Sequence, residues 1–282
     1  MRVQSALSVL DSFFVVKSKK GGKVLNSIFK HTENNGEVII TGLQEGLATT
    51  SIVIPETIDG MPVIEIGPKA FQSTSITNIK IGENIRGIGE KAFYMCKKLK
   101  SVTWNHKCDV VPAFCFSECS NLTKFDFSNV KKIGLYAFYK SGLQEVYLTE
   151  KIEILEKGTF SGCSKLQSVT WHCQCDVIPA DCFFWCSNLM QFDFSGVKKI
   201  EARAFMGSGL TSVTLNKKNE VDQNCFAYCN DLKKIEWLSA RNIKGDIFKE
   251  CKNIKEIFIS DKVKNIEVSA FTSSHNAEIT FV

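Results

Sequence analysis

Two short segments contain most of the residues that could bind a metal, and each follows a tryptophan. His172, Cys173 and Cys175 lie in the segment WHCQCD, and His106 and Cys108 lie in the related segment WNHKCD. Imidazole and thiolate groups are common zinc ligands, so the chemistry to consider first is zinc binding. Whether the two segments form one site depends on how far apart the fold places them.

Enzymatic chemistry has weaker support in the residue pattern. The chain has 4 His residues, and none lies in the spacing of a nucleophile motif, a phosphate-binding loop or a metalloprotease motif. The glycines occur singly at expected turns or, at Gly21 and Gly22, without a phosphate-loop pattern after them. The sequence therefore predicts a protein that is not an enzyme and needs no cofactor.

Composition and charge narrow the classes of partner. The net charge of +5 over 282 residues is too small for the basic surface that binds phosphate backbones, which argues against a nucleic acid partner. No stretch approaches the roughly 18 apolar residues of a membrane-spanning helix, so we predict no membrane span. The count of 21 Phe against 5 Tyr indicates that one position of a repeating unit requires Phe.

The phenylalanines mark that repeating unit. Consecutive members are 21 to 23 residues apart, and they are Phe71, Phe93, Phe116, Phe138, Phe160, Phe183, Phe205, Phe226, Phe248 and Phe271. Five residues before each of them stands Ile, Val or Leu, for example Ile88 before Phe93. Every unit is therefore expected to bury the same two anchors.

Each unit is predicted to contain one strand and one short helical turn. The alternation Leu99, Val102, Trp104 is typical of a strand. Ile88, Ala92 and Cys96 are four residues apart, so a helical turn would place them on one inward face. A unit of about 22 residues cannot enclose its own apolar side. The units must therefore stack on a shared core, which predicts an α/β repeat solenoid.

A longer period of 67 residues separates Phe71 from Phe138 and Phe138 from Phe205. Three units were therefore copied together, and the two histidine-containing segments are equivalent positions of two copies. At about 4.8 Å per strand, segments three units apart lie roughly 14 Å from each other. A single zinc ion cannot bridge that distance with ligands at about 2 Å, so we predict no shared metal site.

Residues 54–71 (IPETIDGMPVIEIGPKAF) and units such as IGEKAFYMCKKLKSVTW resemble the BspA-type leucine-rich repeat of bacterial and parasitic-protozoan proteins. The lead-in NNGEVIITG at residues 34–42 resembles the hairpin before the first repeat of that family. The resemblance covers about residues 30–282. It implies a right-handed leucine-rich-repeat horseshoe or rod with a parallel β-sheet on one face and short helical turns on the other. It also implies adhesion or binding of host or partner proteins, at the cell surface in many members.

The predicted domain organisation has two parts. Residues 1–33 are interpreted as an N-terminal capping segment in which residues 5–14 form an amphipathic helix over the first unit. Residues 34–282 are interpreted as the repeat domain, with about ten to eleven repeats of 22–23 residues. A secretion signal is the alternative for the first residues, although Asp11 interrupts their apolar run and no small-residue cleavage site follows.

The 12 cysteines are predicted to be mainly core residues. Eleven occupy slots that hold Ala, Ser, Thr, Ile or Val in other units, which fits a small buried hydrophobe. Disulfides between stacked units and metal ligation are the alternatives. Reduced thiols favour an intracellular protein, whereas the family resemblance implies the cell surface, and the sequence leaves both locations open.

A binding surface is expected on the outward side chains of the strands, where one residue per unit faces the exposed side of the sheet. Exposed aromatic residues commonly concentrate binding energy, which makes Tyr147 the first candidate. The further candidates are Asp126, Thr170, His172, Asp193 and Phe258. The alternative is that these side chains are only the solvated side of the sheet and that binding uses an edge, an end or a loop.

Two functions follow from this surface. The first is a non-enzymatic protein-binding or adhesion module that presents a rigid repeat surface to a protein partner, such as a host or surface protein. The second is a structural or scaffold protein that assembles through the open end of the solenoid. In the second case the last strand, at residues 279–282, would give weak self-association through its unpaired edge.

Overall fold

The computed structural model describes residues 28–45, 50–239, 241–274 and 277–282. The predicted capping helix at residues 5–14 lies outside the described residues. Strand β1 begins inside the predicted capping segment, at Phe29. Within the described part of the chain, no helix is both long enough and apolar enough to span a membrane.

Twenty short strands make up the regular structure of the described residues. In chain order they are β1 (Phe29–Asn34), β2 (Glu37–Leu43), β3 (Ser51–Val53), β4 (Thr57–Ile58), β5 (Met61–Ile66), β6 (Asn78–Lys80), β7 (Gly87–Ile88), β8 (Ser101–Thr103), β9 (Val110–Val111), β10 (Lys132–Ile133), β11 (Glu145–Leu148), β12 (Ile154–Leu155), β13 (Ser168–Trp171), β14 (Val177–Ile178), β15 (Lys199–Ile200), β16 (Ser212–Leu215), β17 (Glu220–Val221), β18 (Lys234–Trp237), β19 (Glu256–Ile259) and β20 (Glu278–Phe281).

The predicted lead-in hairpin is present. β1 and β2 pair antiparallel, and the two residues between them, Asn35 and Gly36, have φ angles of 51° and 77°. Positive φ at both turn residues is the requirement of a tight two-residue hairpin, and Asn-Gly meets it at low cost. β2 then pairs in parallel with β5, so the hairpin covers the first repeat strand with hydrogen-bonded backbone.

The repeats form two rows of parallel strands, whereas we expected one sheet. The predicted strands form one row, which lacks a strand at residues 122–127 and 189–194 and consists of the sheets β3-β6-β8, β11-β13 and β16-β18-β19-β20. The anchor five residues before each Phe lies in a second row, mostly in two-residue strands such as β9-β10-β12 and β14-β15-β17, and at Ile243 and Ile266 in an isolated bridge. Pairing in both rows joins residues of neighbouring repeats, such as Val146 to Val169 and Ile133 to Leu155.

The repeat phenylalanines form the centre of the core, as predicted. The side chains from Phe71 to Phe248 in this series are fully buried. Every consecutive pair of rings is stacked, with centroids 5.1 to 5.8 Å apart. Such pairs stabilise a fold beyond the burial of their area, by about 0.5–1.5 kcal/mol each. The ring of one repeat therefore completes the core of the next.

The predicted helical turns are wrong, because the segment around each Phe is not helical. Lys91 and Met95, two residues before and after Phe93, each have φ of 58°, which an α-helix of L-residues does not tolerate. The N–H of Phe93 donates to the carbonyl of Cys115 in the next repeat at 3.0 Å. In a helix that N–H would donate within its own segment. In the described residues, helical backbone is limited to Ile28 and the 3₁₀ turn Val268–Phe271.

The last described strand has an open side. β20 pairs with β19, and all four of its residues are exposed, including Phe281 at 63%. Self-association through this strand stays a prediction.

Replacement of one central ring tests the stacked core. Phe160 lies between the rings of Phe138 and Phe183, so Phe160→Ala leaves a cavity and removes two stacking contacts. We expect the free energy of unfolding in urea to fall by about 3–5 kcal/mol. The control Phe160→Leu keeps most of the volume and is expected to lose less than half as much. Equal losses in the two variants would contradict a role for the aromatic column.

Candidate functional site

Three of the predicted site residues lie together, two on adjacent strands and His172 directly after the second strand. Tyr147 on β11 is paired in register with Thr170 on β13, and its side chain is 54% exposed. The hydroxyl of Tyr147 lies 3.3 Å from Nδ1 of His172. The two rings meet edge to face, with centroids 5.6 Å apart. The contact holds an exposed aromatic side chain in one orientation.

Asp126 and Asp193 lie on the repeats that flank this pair, one on each side. Each carboxylate accepts a backbone N–H two residues ahead at 2.9 Å, Asp126 from Ser128 and Asp193 from Ser195. This is the local turn that Asp favours through its short side chain. Both carboxylates therefore have a structural role in addition to being exposed.

Phe258 is separated from the other candidates. It lies on β19, three repeats after Asp193, which corresponds to roughly 14 Å along the row. Its ring is half-buried and is covered by Lys234, whose Nζ lies 5.0 Å from the ring centroid. The fold thus assembles Asp126, Tyr147, Thr170, His172 and Asp193 on four consecutive repeats and leaves Phe258 outside this group.

The row that contains β11 and β13, which we call the strand row, is interrupted beside these candidates. Residues 122–127 and 189–194 form no strand, although the flanking repeats do. At the inner position both interruptions carry Phe, Phe125 and Phe192, where β11 and β13 carry Val. The Phe192 ring packs against Phe205 with centroids 5.0 Å apart. We attribute the break to this larger ring, which holds the backbone away from the ladder.

The second interruption opens a groove of about 790 Å³ between β13 and β16, which we call the row groove. Asp193 lies in it together with Met190 and Phe192, and Met190 is 58% exposed. Sequence reasoning predicted Asp193 and missed the two apolar residues. The signal was available, because the FDF segments replace the usual β-branched strand residue with a second aromatic.

The two segments with histidine and cysteine, at residues 104–108 and 171–175, each form a loop that a tryptophan closes. The indole N–H of Trp104 donates to the carbonyl of Cys108 at 2.7 Å, and that of Trp171 donates to the carbonyl of Cys175 at 3.0 Å. Trp237 makes the same bond to Arg241 at 3.1 Å, so the loop does not require Cys at its end. Among the described residues, no cluster of three or more His, Cys, Asp or Glu is arranged to hold a metal ion.

The cysteines three residues after the repeat Phe form a second structural series. Each thiol donates to the carbonyl of the Phe in the preceding repeat, for example Cys96 to Phe71 at 2.9 Å and Cys163 to Phe138 at 3.1 Å. The same bond is made by Cys119, Cys186, Cys229 and Cys251. A small side chain with a donor fits this slot, which explains why Ser and Thr replace Cys there in other repeats.

Burial confirms the predicted core position for most thiols. All twelve are free, and ten are buried, while Cys173 and Cys175 are half-buried. Cys175 was predicted in the core and is more accessible than expected. Burial raises the pKa of Cys163 to about 12 and that of Cys108 to about 11. A hydrogen bond with Cys173 instead lowers the pKa of Cys175.

Comparison with known proteins gives one family. The model of the BspA type leucine rich repeat region matches in several copies, over residues 44–167, 128–233 and 154–278, which together span most of the chain. No curated protein matches the sequence.

Solved structures with the same fold are bacterial leucine-rich repeat proteins. One from Bacteroides ovatus is 22% identical, with 88% of this chain and 79% of that chain covered and a TM-score of 0.68. A leucine rich cell surface protein from Faecalibacterium prausnitzii is 21% identical, with 94% and 78% covered and a TM-score of 0.61. The T. pallidum leucine-rich repeat protein is 24% identical, with 66% and 89% covered and a TM-score of 0.58. At these identities the likeness concerns the fold alone.

The different burial and pKa values of the thiols predict that the cysteines are alkylated at different rates. In the native protein at about pH 8, iodoacetamide should modify Cys175 first, because this thiol is half-buried and its pKa is lowered. Cys182 is buried and its pKa is raised, so we expect its alkylation to be at least about tenfold slower. Mass spectrometry of peptides at timed intervals measures both rates, and Cys175→Ser identifies the fast site. Equal rates for Cys175 and Cys182 in the folded protein would contradict the assignment.

Proposed function

Because this chain belongs to the BspA type leucine-rich repeat family, we propose that it is a non-enzymatic protein-binding or adhesion module. The partner is a protein that contacts the strand row at Tyr147, Thr170, His172 and the row groove. The observation that carries the proposal is the placement of an oriented, exposed tyrosine beside a groove in an otherwise regular surface.

The contacts around Tyr147 support a role as a binding anchor. An exposed tyrosine loses little conformational freedom on binding when a neighbour already orients it, and aromatic anchors dominate many protein interfaces. His172 provides that orientation through the 3.3 Å contact with the hydroxyl. Tyr147 therefore loses less conformational entropy on binding than an unrestrained tyrosine would.

The row groove supports a protein ligand over a small polar one. Its walls combine polar side chains, such as Ser168 and Asp193, with the exposed thioether of Met190 and the ring of Phe192. Methionine adapts to differently shaped apolar partners. The backbone of residues 189–194 lies outside the strand ladder, so an extended segment of a partner could hydrogen-bond to it.

A non-enzymatic role is supported by the environment of the groups that could react. His172 contacts a tyrosine hydroxyl, and the thiols of Cys182 and Cys186 are buried with raised pKa values. Adhesion is supported by the family and by the likeness in fold to a protein described as a leucine rich cell surface protein.

Paired surface substitutions test the proposed interface. Tyr147→Ala removes the anchor, and Asp193→Asn removes a charge while its amide oxygen can still accept the turn hydrogen bond from Ser195. We expect the double variant to bind its protein partner at least about tenfold more weakly than the wild type does. The free energy of unfolding should change by no more than about 0.5 kcal/mol, as is usual for surface substitutions.

Thr103→Ala is the matched control, because Thr103 is exposed in the same strand row but lies outside the row groove. Affinity capture with immobilised wild type, control and double variant, quantified by mass spectrometry, measures the effect. A partner that the double variant retains as strongly as the wild type would rule out this surface as its binding site.

A further inference from the structure

A second groove, of about 600 Å³, runs along the turns between the strand rows, and we call it the turn groove. One of its sides is formed by the residue that directly follows each repeat Phe. In successive repeats these residues are Tyr94, Ser117, Tyr139, Ser161, Phe184 and Met206. From Tyr94 to Phe184, aromatic residues and serines alternate along this side, so every second repeat in this range offers a small residue between two rings.

The alternation places a small residue between two aromatic side chains at two positions, which we call the slots. Ser117 lies between Tyr94 and Tyr139, and Ser161 lies between Tyr139 and Phe184. Both serines are buried, and the three aromatic side chains are partly exposed. Two repeats separate the centres of the slots, which corresponds to roughly 10 Å at the spacing of adjacent strands.

The opposite side of the turn groove is held rigidly. Gly158 has φ of +66°, and any Cβ there would collide with the ring of Tyr136, which lies across it. The Tyr136 hydroxyl donates to Asp181 at 3.3 Å. Arg203 holds the same carboxylate through two bonds of 2.7 and 3.0 Å. A ligand would therefore meet a preformed wall.

One group in the turn groove lacks a partner in the folded chain. Among the described residues, the buried hydroxyl of Ser117 makes no hydrogen bond. Buried hydroxyls are normally satisfied, because an unpaired donor loses its bond to water without replacement. This hydroxyl is fully buried in the unbound chain, so a ligand carbonyl could supply the acceptor only after the neighbouring side chains move aside.

We propose that the turn groove binds a proline-rich segment in the polyproline II conformation. That helix has three residues per turn and rises about 3.1 Å per residue, so residues i and i+3 lie on one face about 9 Å apart. This matches the spacing of the slots at Ser117 and Ser161. An α-helix repeats every 5.4 Å, and same-face residues of a strand are about 7 Å apart, so neither fits two slots with consecutive side chains.

The chemistry of the turn groove agrees with this ligand. Proline-rich segments are recognised by aromatic-lined grooves, where the preformed helix loses little entropy on binding. Proline has no N–H, and its carbonyls are free to accept a hydrogen bond from a hydroxyl such as that of Ser117.

Charge along the rim favours an acidic residue within the segment. Lys91 lies 5.2 Å above the ring of Phe114, and Lys140 lies 5.0 Å above that of Tyr139. Lys157 and Arg203 both contact Asp181. The four cations outnumber the two carboxylates that interact with them, Asp181 and Glu118, so an anionic side chain of the ligand would find a favourable field.

The test uses two labelled peptides of identical composition, about eight residues long so that they span the groove. In the first peptide the prolines lie at positions i and i+3 and are flanked by one glutamate. The second peptide contains the same residues in another order, with the prolines at positions i and i+2. Fluorescence anisotropy with the intact chain measures both affinities. We expect the i, i+3 peptide to bind at least about tenfold more tightly.

Variants locate the binding. Tyr139 borders both slots, so Tyr139→Ala should weaken the i, i+3 peptide about tenfold, whereas Tyr139→Phe keeps the ring and should bind like the wild type. Tyr147→Ala, in the strand row, should leave this affinity unchanged. The turn groove and the row groove are thereby tested independently, and failure of one proposal leaves the other standing.

Three outcomes would overturn the proposal. They are equal affinity for the two peptides, no binding of either, and binding that Tyr139→Ala does not weaken while its circular dichroism matches the wild type. A neutral β-linked glucan oligosaccharide serves as a competitor of different chemistry. If it occupied the groove while the i, i+3 peptide did not bind, the groove would be assigned to glycans instead.

Discussion

In the described repeats from Phe71 to Phe248, the backbone N–H of each repeat Phe finds its acceptor in the next repeat. The N–H of Phe116 donates to the carbonyl of Ala137 at 2.8 Å, and the N–H of Phe138 donates to that of Thr159 at 2.9 Å. The ring of each Phe stacks on the ring of the next repeat, as Phe116 does on Phe138. From Phe71 to Phe248, the residues two before and two after each ring adopt positive φ, which costs a residue other than glycine roughly 1–2 kcal/mol. Hydrogen bonds and ring contacts to a neighbour must offset that cost, so stacking is a condition for the repeat to fold.

This condition explains why most of the residues that could bind a metal or react have a structural role instead. The thiol of Cys163 donates to the carbonyl of Phe138, and the indole of Trp171 closes the loop that contains the His-Cys segment. What remains for binding is the outward surface that a regular stack creates. Its irregular points, the missing strand at residues 189–194 and the alternation of rings and serines along the turns, are where the grooves lie.

The sequence predicted the elements that repeat and missed those that depend on single residues. The Phe period and the Ile88-type anchors gave the stacked core, because apolar residues recur wherever a position is always buried. The helical turn was predicted from the four-residue spacing of Ile88, Ala92 and Cys96, but the positive φ at Lys91 and Met95 reverses the chain between them. Lys and Met have no preference for that conformation, and the available signal was glycine at the equivalent positions of other repeats, Gly158, Gly162 and Gly207.

The candidate surface was predicted in part for the same reason. Alternation along a strand is enough to identify Tyr147 and Thr170 as outward, because the strand pairing fixes their direction. The grooves could not be read in the same way. The row groove depends on the size of Phe192, and the turn groove depends on which repeats carry Ser117 and Ser161 and which carry rings. That alternation is visible only once the residue after each Phe from Phe93 to Phe205 is known to line the turn groove.

The most direct test of this account is native-state hydrogen exchange at the amides of the repeat phenylalanines. If each N–H is bonded to the next repeat, the amides of Phe93, Phe116, Phe138 and Phe160 should be among the most slowly exchanging in the chain and should share one free energy of opening. Exchange of these amides at the rates of exposed loops, in a protein whose strand amides are protected, would contradict it.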